Sequence, residues 1–380
     1  MKQLDPALFD RLIGEITEER FYRFLKPVAD TLAPSQSVPF TRARVIEGLL
    51  RDEGVLGRPG ISFQRNFEGT GNCVLTLERP AAGKPVWLIA HLDIISYFVE
   101  GGDEGRYRLS PFCYHMMHPG QREGVALTFN LDNCAFDIST RGEIVTGTDH
   151  SLAFVTPAGE DVRPGQRVCF TSQLDWNRKT GRLAGSLDDA GGAVAQLLAA
   201  LFLMEYDVNL VLCLTDEEEG VAGMGNQTIG RGGARLLPFL NQPELAIVCD
   251  FQEAAAMREG PGPLGIHPGA GACFAEKTSH GRGEITSPYL YELERQLADE
   301  LAGEGIRLHE NIGGYIGRSD GVNAMLRTPN VAILGFLGEN RHFEQDVSSA
   351  NMKDLVDLAR SIVCLVLLTK TAVWRSVFHC

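Results

Sequence analysis

The stretch that decides the fold is residues 185–225, GSLDDAGGAVAQLLAALFLMEYDVNLVLCLTDEEEGVAGMG. Apolar residues recur at helical spacing from Gly191 to Tyr206, and an apolar run typical of a buried strand follows them. Asp188 and Asp189 precede this helix, and four consecutive acidic residues follow the strand. Functional sites of open α/β sheets lie at the strand ends. The stretch therefore predicts an α/β fold with an acidic site.

The composition is that of an ordinary folded protein. The chain has 380 residues, of which 44% are hydrophobic and 22% are charged. Its formal net charge of -14 argues against nucleic acid and anionic membranes as partners, because both require a basic surface. We expect one large α/β domain with a smaller one.

Several features predict a cytoplasmic protein. Met1 to Tyr22 lacks the apolar core of a signal peptide, and the apolar run Ile362 to Leu368 is too short to span a bilayer. The nine cysteines are scattered and form no CxxC pair. We expect them to be reduced, without a disulfide framework.

The sequence pattern changes after Gly101 and changes back near residue 176. Between these points short alternating strands without helical periodicity predict an all-β unit. The predicted fold is therefore a mixed sheet flanked by helices, with a small barrel-like β domain inserted into it. The predicted domains are residues 1–101 and 176–380, which form the α/β domain, and the inserted residues 102–175.

Residues of the types that bind metals follow several predicted core strands and turns. They are His91 with Asp93, Asp188 with Asp189, Glu217 with Glu218, Asp250, and His342. Parallel strands bring their C-terminal ends to one edge of a sheet, so residues this far apart can converge there. A mixed set of His, Asp and Glu suits Zn, Mn or Co, and two ions bridged by one carboxylate would use so many ligands economically.

The order of these motifs resembles that of the co-catalytic metal aminopeptidases. The order is H-x-D, then D-D before a glycine-started helix, then E-E-x-G, then a strand-ending Asp and a late His. The glutamyl and tetrahedral aminopeptidase branch is the most similar, because it shares the β insertion and the E-E-x-G-x-x-G form, here Glu217 to Gly223. The resemblance implies a zinc-aminopeptidase-like fold and a homo-oligomer.

The resemblance also implies a role for each residue. His91, Glu218, Asp250 and His342 would bind one or two divalent ions, with Asp188 bridging them. Asp93 would orient the His91 ring, and Glu217 would be the general base. Asp216 and Glu219 are expected to be solvated or to cap the turn.

Some residues depart from the family pattern. Ala190 stands where many relatives have a basic residue, and Ile94-Ile95 stands where an acidic residue and a glycine are common. The glycine-rich turn near residues 313–321 faces the substrate in the family. Arg318 and Asp320 are therefore the expected substrate contacts, with a simple surface turn as the alternative.

We expect a metal-dependent hydrolase of C-N bonds, an aminopeptidase that releases N-terminal residues from short peptides by attack of a metal-activated water. The alternative is an aminohydrolase, deaminase or deacylase that uses the same site on a small, for example aromatic amino acid-like, substrate. Tyr97-Phe98 and Phe112-Cys113-Tyr114 would line its pocket. A third hypothesis, an inactive binding module, is disfavoured because such a module needs no general base.

Overall fold

The computed structural model describes residues 4–79, 82–113, 115, 117–157, 160–220, 230–253 and 266–378. Its helices are α1 (Pro6–Glu15), α2 (Glu18–Ala29), α3 (Arg42–Asp52), α4 (Ala190–Leu203), α5 (Arg231–Leu236), α6 (Pro288–Gly303), α7 (Gly321–Ala324), α8 (Met352–Leu368) and α9 (Ala372–Phe378). Tyr114 of the predicted aromatic pocket and Gly223 of the predicted E-E-x-G-x-x-G motif lie outside the described residues.

The strands belong to a large sheet and to a barrel. The sheet contains β1 (Ile61–Gln64), β2 (Cys73–Leu77), β3 (Val86–His91), β10 (Asp175–Trp176), β11 (Arg182–Ala184), β12 (Leu210–Thr215), β13 (Leu245–Glu253), β14 (Ala272–Ala275), β15 (Leu308–Glu310), β16 (Tyr315–Ile316), β17 (Val331–Glu339) and β18 (Ser349–Asn351). The barrel contains β4 (Tyr97–Asp103), β5 (Arg106–Pro111), β6 (Gly120–Asn130), β7 (Ala135–Thr146), β8 (Leu152–Val155) and β9 (Arg167–Phe170).

The centre of the large sheet consists of four parallel strands in the order β12-β3-β13-β17. Antiparallel strands extend it on both sides, with β2 and β1 beyond β12, and β18, β11 and β10 beyond β17. This mixed sheet confirms the predicted α/β class. The parallel order places the C-terminal ends of β12, β3 and β13 side by side, which is where the predicted ligands occur.

Alternation along β3 explains why helices cover both faces of the sheet. Val86, Leu88 and Ala90 pack into the main core with α2, α4 and α8. Trp87 and Ile89 point to the opposite face and pack into a second cluster. Successive side chains of a strand face opposite sides, so a strand buried on both faces is apolar throughout.

Helix α4 is the central helix of the main core. All fourteen of its residues are buried, because α2 and α8 cover the sides that do not face the sheet. Gln196 is its polar exception, and its Nε2 donates to the carbonyl oxygens of Ile89 in β3, at 2.9 Å, and Ile247 in β13, at 3.1 Å. This bond pair fixes the middle of α4 relative to two strands that carry site residues.

The inserted unit is a closed antiparallel barrel in the order β4-β5-β8-β7-β6-β9, with β9 pairing back to β4. Its strands lie between β3 and β10, which confirms the barrel inserted into the α/β fold. Sequence reasoning did not predict β4 and β5. Two glycines interrupt the pattern of β4, whereas β5 does alternate, with Tyr107 and Leu109 buried between charged or polar residues, so a short strand signal was missed there. β4 spans residue 101, and the domain limits 1–101, 102–175 and 176–380 stay a prediction.

Within the described part of the chain, no helix combines the length and the apolar character needed to cross a membrane.

Replacing Gln196 by leucine should destabilise the fold. The variant removes two hydrogen bonds to buried carbonyl groups, and we expect it to lower the free energy of unfolding by about 1–3 kcal/mol. Urea denaturation would measure the change. Gln296→Leu, on the exposed face of α6, is the matched control and should change stability by less than about 0.5 kcal/mol. Equal effects of the two substitutions would contradict this role of Gln196.

Candidate metal centre

The predicted ligands lie at the C-terminal edge of the parallel strands. His91 is the last residue of β3 and pairs in register with Thr215, the last residue of β12. Asp250 lies in β13, on the other side of β3. Asp188 precedes α4, and His342 follows β17. The sheet order thus brings residues from position 91 to position 342 into one cluster.

The first group of donor atoms surrounds the His91 ring. Its Nε2 lies 3.3 Å from Asp188 Oδ1, 4.0 Å from Asp250 Oδ1 and 3.8 Å from Glu218 Oε2. The His91 side chain is only 1% exposed. Three donor atoms, from His91, Asp188 and Asp250, lie within 4.8 Å of one another, a spacing that a single cation can bridge after small side-chain movements.

The backbone of Asp93 holds the other nitrogen of the His91 ring. Nδ1 lies 3.1 Å from the Asp93 carbonyl oxygen, whereas the Asp93 carboxylate is 3.6 Å away. A carbonyl oxygen can only accept, so the Nδ1 proton is directed to it and Nε2 faces the carboxylates. This arrangement suits a metal-binding histidine. Asp93 thus contacts the His91 ring through its main chain, and the orienting role predicted for it stays a prediction.

The second group of donor atoms surrounds the His342 ring. Its Nε2 lies 3.2 Å from Glu219 Oε1 and 3.5 Å from Asp188 Oδ2. The Cys113 thiol, from the segment that follows β5, donates to Glu219 Oε2 at 2.8 Å. Cys113, Glu219 and His342 each offer a donor atom within 4.8 Å of the others. These residues form a second candidate group of metal-binding side chains.

Asp188 lies between the two groups. Oδ1 faces His91 and Oδ2 faces His342, and the peptide bond to Asp189 is cis. Oδ1 is buried and lies 3.3 Å from His91 Nε2, but in the described chain it makes no hydrogen bond of good geometry, and buried polar atoms normally make one. This weakly bonded oxygen and the mixed His and carboxylate donors have the chemistry of a divalent-cation site.

The electrostatics of the cluster favour bound positive charge. Burial and the nearby Asp188 raise the pKa of Asp250 to about 8. Burial, together with the charges of Asp250 and Glu219, also raises the pKa of Glu218 well above its usual value. Burial alone would lower the pKa of His91, but Glu218 and the neighbouring aspartates outweigh it and raise that pKa. Asp250 and Glu218 are thus costly to ionise here without a cation. Burial acts in the same direction on Asp188 and Glu219, but the neighbouring histidines outweigh it and lower the pKa of both.

Arg341 is the fixed positive charge beside the cluster. Its side chain is 11% exposed, and its Nε lies 3.7 Å from Asp188 Oδ2. Burial opposes the guanidinium charge, but Asp188, Asp250 and Glu219 outweigh it and raise the pKa of Arg341. Sequence reasoning did not single out this residue, although it directly precedes the predicted ligand His342.

The structure does not bring Glu217 to the cluster. Its backbone has a positive φ of 59°, and its carboxylate pairs with Arg235 at 2.5 Å and with Arg231 at 2.9 Å. These arginines belong to α5, and the three side chains form an ion-pair group of their own. In this structure the Glu217 carboxylate thus contacts α5 and not the two groups of donor atoms, and its role as general base stays a prediction.

The other three acidic residues of the run have two different roles: one stabilises the backbone, and two reach the cluster. Asp216 is buried and accepts hydrogen bonds from the backbone N–H groups of Gln36, Val38 and Glu217. Glu218 and Glu219 both reach the cluster. Their backbone N–H groups donate to the two carboxylate oxygens of Asp93, each at 3.1 Å. Asp93 therefore fixes the turn that carries both glutamates.

Sequence reasoning missed Glu219 as a site residue, because four consecutive acids do not reveal which of them turn inward. Cys113 was considered only as part of an aromatic pocket. The preceding residue in the sequence, Phe112, is buried and packs against Gly220, next to the acidic turn. Counting residues from the end of β12 could not have shown which acidic side chains face the site, because the conformation of the turn decides this.

The two predicted substrate contacts lie in different surroundings. Arg318 is exposed. Asp320 is buried, and it accepts hydrogen bonds from the Thr215 hydroxyl and from the backbone N–H of Gly233 at 3.2 Å. Asp320 thus ties the end of β12 to α5, and both of its carboxylate oxygens are engaged. Substrate binding by Arg318 and Asp320 stays a prediction.

Several solved structures resemble this chain along almost its whole length. An aminopeptidase from the archaeon Desulfurococcus kamchatkensis has 17% sequence identity and a TM-score of 0.72, and the match covers 96% of this chain and 98% of that one. A TET aminopeptidase from a marine sediment thaumarchaeote has 14% identity and a TM-score of 0.71, with 92% and 96% covered. This chain has the fold of these aminopeptidases. The resemblance inferred from the motif order is thereby confirmed at the level of the fold.

A third match is the TET1 peptidase of Pyrococcus horikoshii, which can assemble into a tetrahedron or a large octahedral shell. It has 17% identity and a TM-score of 0.66, and the match covers 91% of this chain and 99% of that one. No protein-family model and no curated protein matches the sequence.

Divalent cations should stabilise the protein. Because a bound ion relieves the repulsion among buried carboxylates, Zn²⁺, Mn²⁺ or Co²⁺ at a hundred times its dissociation constant should add about 2.7 kcal/mol of stability, and chelation should remove it. Thermal unfolding with and without the ion would measure this. Asp188→Asn should lose most of the effect, whereas Asp52→Asn, at an exposed position of α3, should retain it. Equal stabilisation of both variants would place the ions elsewhere.

Proposed function

We propose that this chain is a metal-dependent hydrolase of C-N bonds and that it acts as an aminopeptidase on short peptides. The observation that carries the proposal is the Asp188 carboxylate, which lies between two groups of His and carboxylate donors. The fold shared with known aminopeptidases supports the same chemistry.

His91, Asp188 and Asp250 would hold one divalent ion, and Asp188, Glu219 and His342 a second. Zn, Mn and Co all suit these donors. When bound, such ions polarise a carbonyl group and lower the pKa of a coordinated water from about 15.7 toward about 7. The protein itself fixes the donors, because Asp93 holds both the His91 ring and the turn of Glu218 and Glu219.

We assign the general base to Glu218 in place of Glu217. Glu218 Oε2 lies 3.8 Å from His91 Nε2, and at 9% its side chain is the most exposed of the ion-paired carboxylates of the cluster. It is therefore placed to take a proton from the attacking water and to deliver it to the nitrogen of the leaving amine. In this scheme Glu219, which contacts His342, is a ligand, although Glu218 also has a donor atom within 4.8 Å of donor atoms of His91 and Glu219.

Two neighbouring substitutions separate these assignments. Glu218→Gln keeps the shape of the side chain but cannot accept a proton, so we expect turnover to fall by about 10²–10⁴-fold while metal content is retained. Glu217→Gln should disturb the pairs with Arg231 and Arg235, and hence stability, but should leave turnover by the folded protein within about a factor of ten. Metal analysis and rates on aminoacyl-arylamides would measure both.

The opposite pattern would return the base to Glu217. Loss of turnover in Glu217→Gln with bound metal and unchanged stability, together with an active Glu218→Gln, would refute the revised assignment. If both variants are fully active, the hydrolytic mechanism itself is wrong.

The substrate class can be tested by matched pairs of peptides. An aminopeptidase should hydrolyse short peptides with a free N-terminus and should not hydrolyse the same peptides after N-terminal acetylation. Product analysis by mass spectrometry would detect release of the first residue. Turnover of N-acyl amino acids or aromatic amines without turnover of peptides would instead support the deacylase, deaminase or aminohydrolase alternative.

We further propose a homo-oligomer that functions in the cytoplasm. The assembly of the TET1 peptidase into closed shells supports the first part. The cysteines of the described residues are all free, which suits a reducing compartment. Light scattering of the purified protein would give its mass, and a monomer at micromolar concentration would refute assembly.

A further inference from the structure

One cysteine of the inserted barrel reaches the second group of donor atoms. Cys113 follows β5 by two residues, so its backbone belongs to the barrel segment. Its Sγ lies 2.8 Å from Glu219 Oε2, and Cys113, Glu219 and His342 have donor atoms within 4.8 Å of one another. The barrel thus contributes a sulfur atom to a site otherwise built from the α/β domain.

The position of this sulfur differs from that of the other cysteines in the described chain. Those that are buried belong to the hydrophobic clusters of the sheet, the barrel and α8: Cys73, Cys169, Cys213, Cys249, Cys273 and Cys364. Cys134 is exposed. Cys113 is half-buried, packs against the barrel core on one side, and directs its thiol to a carboxylate and an imidazole on the other.

We propose that Cys113 is a further protein ligand of the second cation, beside Asp188, Glu219 and His342. This inference rests on the proposed metal centre. Coordination would replace the S–H bond by a bond from sulfur to the metal, and the proton would leave to solvent. Asp188 brings a further carboxylate oxygen to this group, because its Oδ2 lies 3.5 Å from His342 Nε2.

The extra ligand makes the two positions chemically different. The first position has three protein donors, from His91, Asp188 and Asp250, which leaves a place for water and substrate, as in catalytic sites. With Cys113 the second position has four protein donors, the number found in structural zinc sites. A thiolate also favours softer ions, so the second position should select Zn²⁺, Co²⁺ or Cd²⁺ over Mn²⁺.

Cobalt substitution of the full-length protein tests this ligand directly. A thiolate bound to Co²⁺ gives a near-ultraviolet charge-transfer band that His and carboxylate ligands do not give. We expect the band to appear as Co²⁺ fills the second position, to be lost in Cys113→Ser, and to persist in the matched control Cys134→Ser. Circular dichroism and thermal unfolding would verify that both variants are folded.

A binding measurement gives a second readout. Cys113→Ser should weaken Cd²⁺ binding by at least about tenfold, the lower end of what loss of even an outer-shell partner costs, and should change Mn²⁺ binding much less. Equilibrium dialysis would measure both ions in the wild type and both variants.

The outcomes separate the two proposals. If Co²⁺ binds to the wild type but gives only visible bands, or if the charge-transfer band persists in Cys113→Ser, Cys113 is not a ligand and the metal centre stands without it. If no Co²⁺ binds at all, the metal centre itself is refuted, and the role of Cys113 is refuted with it.

Discussion

Carboxylates that are buried together repel one another, and this sheet holds Asp188, Asp250, Glu218 and Glu219 in one cluster. The cost of such burial is large unless positive charge or hydrogen-bond donors compensate it. Two histidines and Arg341 supply part of the compensation, and divalent cations would supply the rest. Neighbouring acidic residues are compensated in the same way. Backbone N–H groups donate hydrogen bonds to Asp93 and Asp216, and two arginines of α5 form ion pairs with Glu217.

Backbone geometry divides the work among four chemically similar residues. The positive φ of Glu217 directs its carboxylate to α5, and the next two residues turn toward the cluster. The Asp93 carboxylate accepts hydrogen bonds from the backbone N–H groups of Glu218 and Glu219. The side chain of Asp93, two residues after His91, therefore also fixes the turn that follows β12. A support residue of one strand therefore positions the functional residues of another.

The large elements were predictable, because periodicity and burial act locally. The helix predicted at 191–206 is α4, 190–203, and the apolar runs before the acidic run and before Asp250 are β12 and β13. The convergence of His91, Asp188, Asp250 and His342 followed from the parallel order of the strands. The register within the acidic run did not, because one turn angle decides which carboxylate faces inward. Nor did Cys113, since a contact between barrel and sheet leaves no local pattern.

The spread of the cluster along the chain has a consequence for how the protein matures. Its donor atoms come from positions 91 to 342, and the barrel, which includes Cys113, is synthesised between His91 and the donors Asp188, Glu219, Asp250 and His342. A chain that is still emerging from the ribosome has no complete site, so cations cannot guide its early folding. Long-range pairing of this kind is slow to form. Ion binding would therefore be a late event in folding, and it would occur only in molecules whose sheet has formed with the correct strand order.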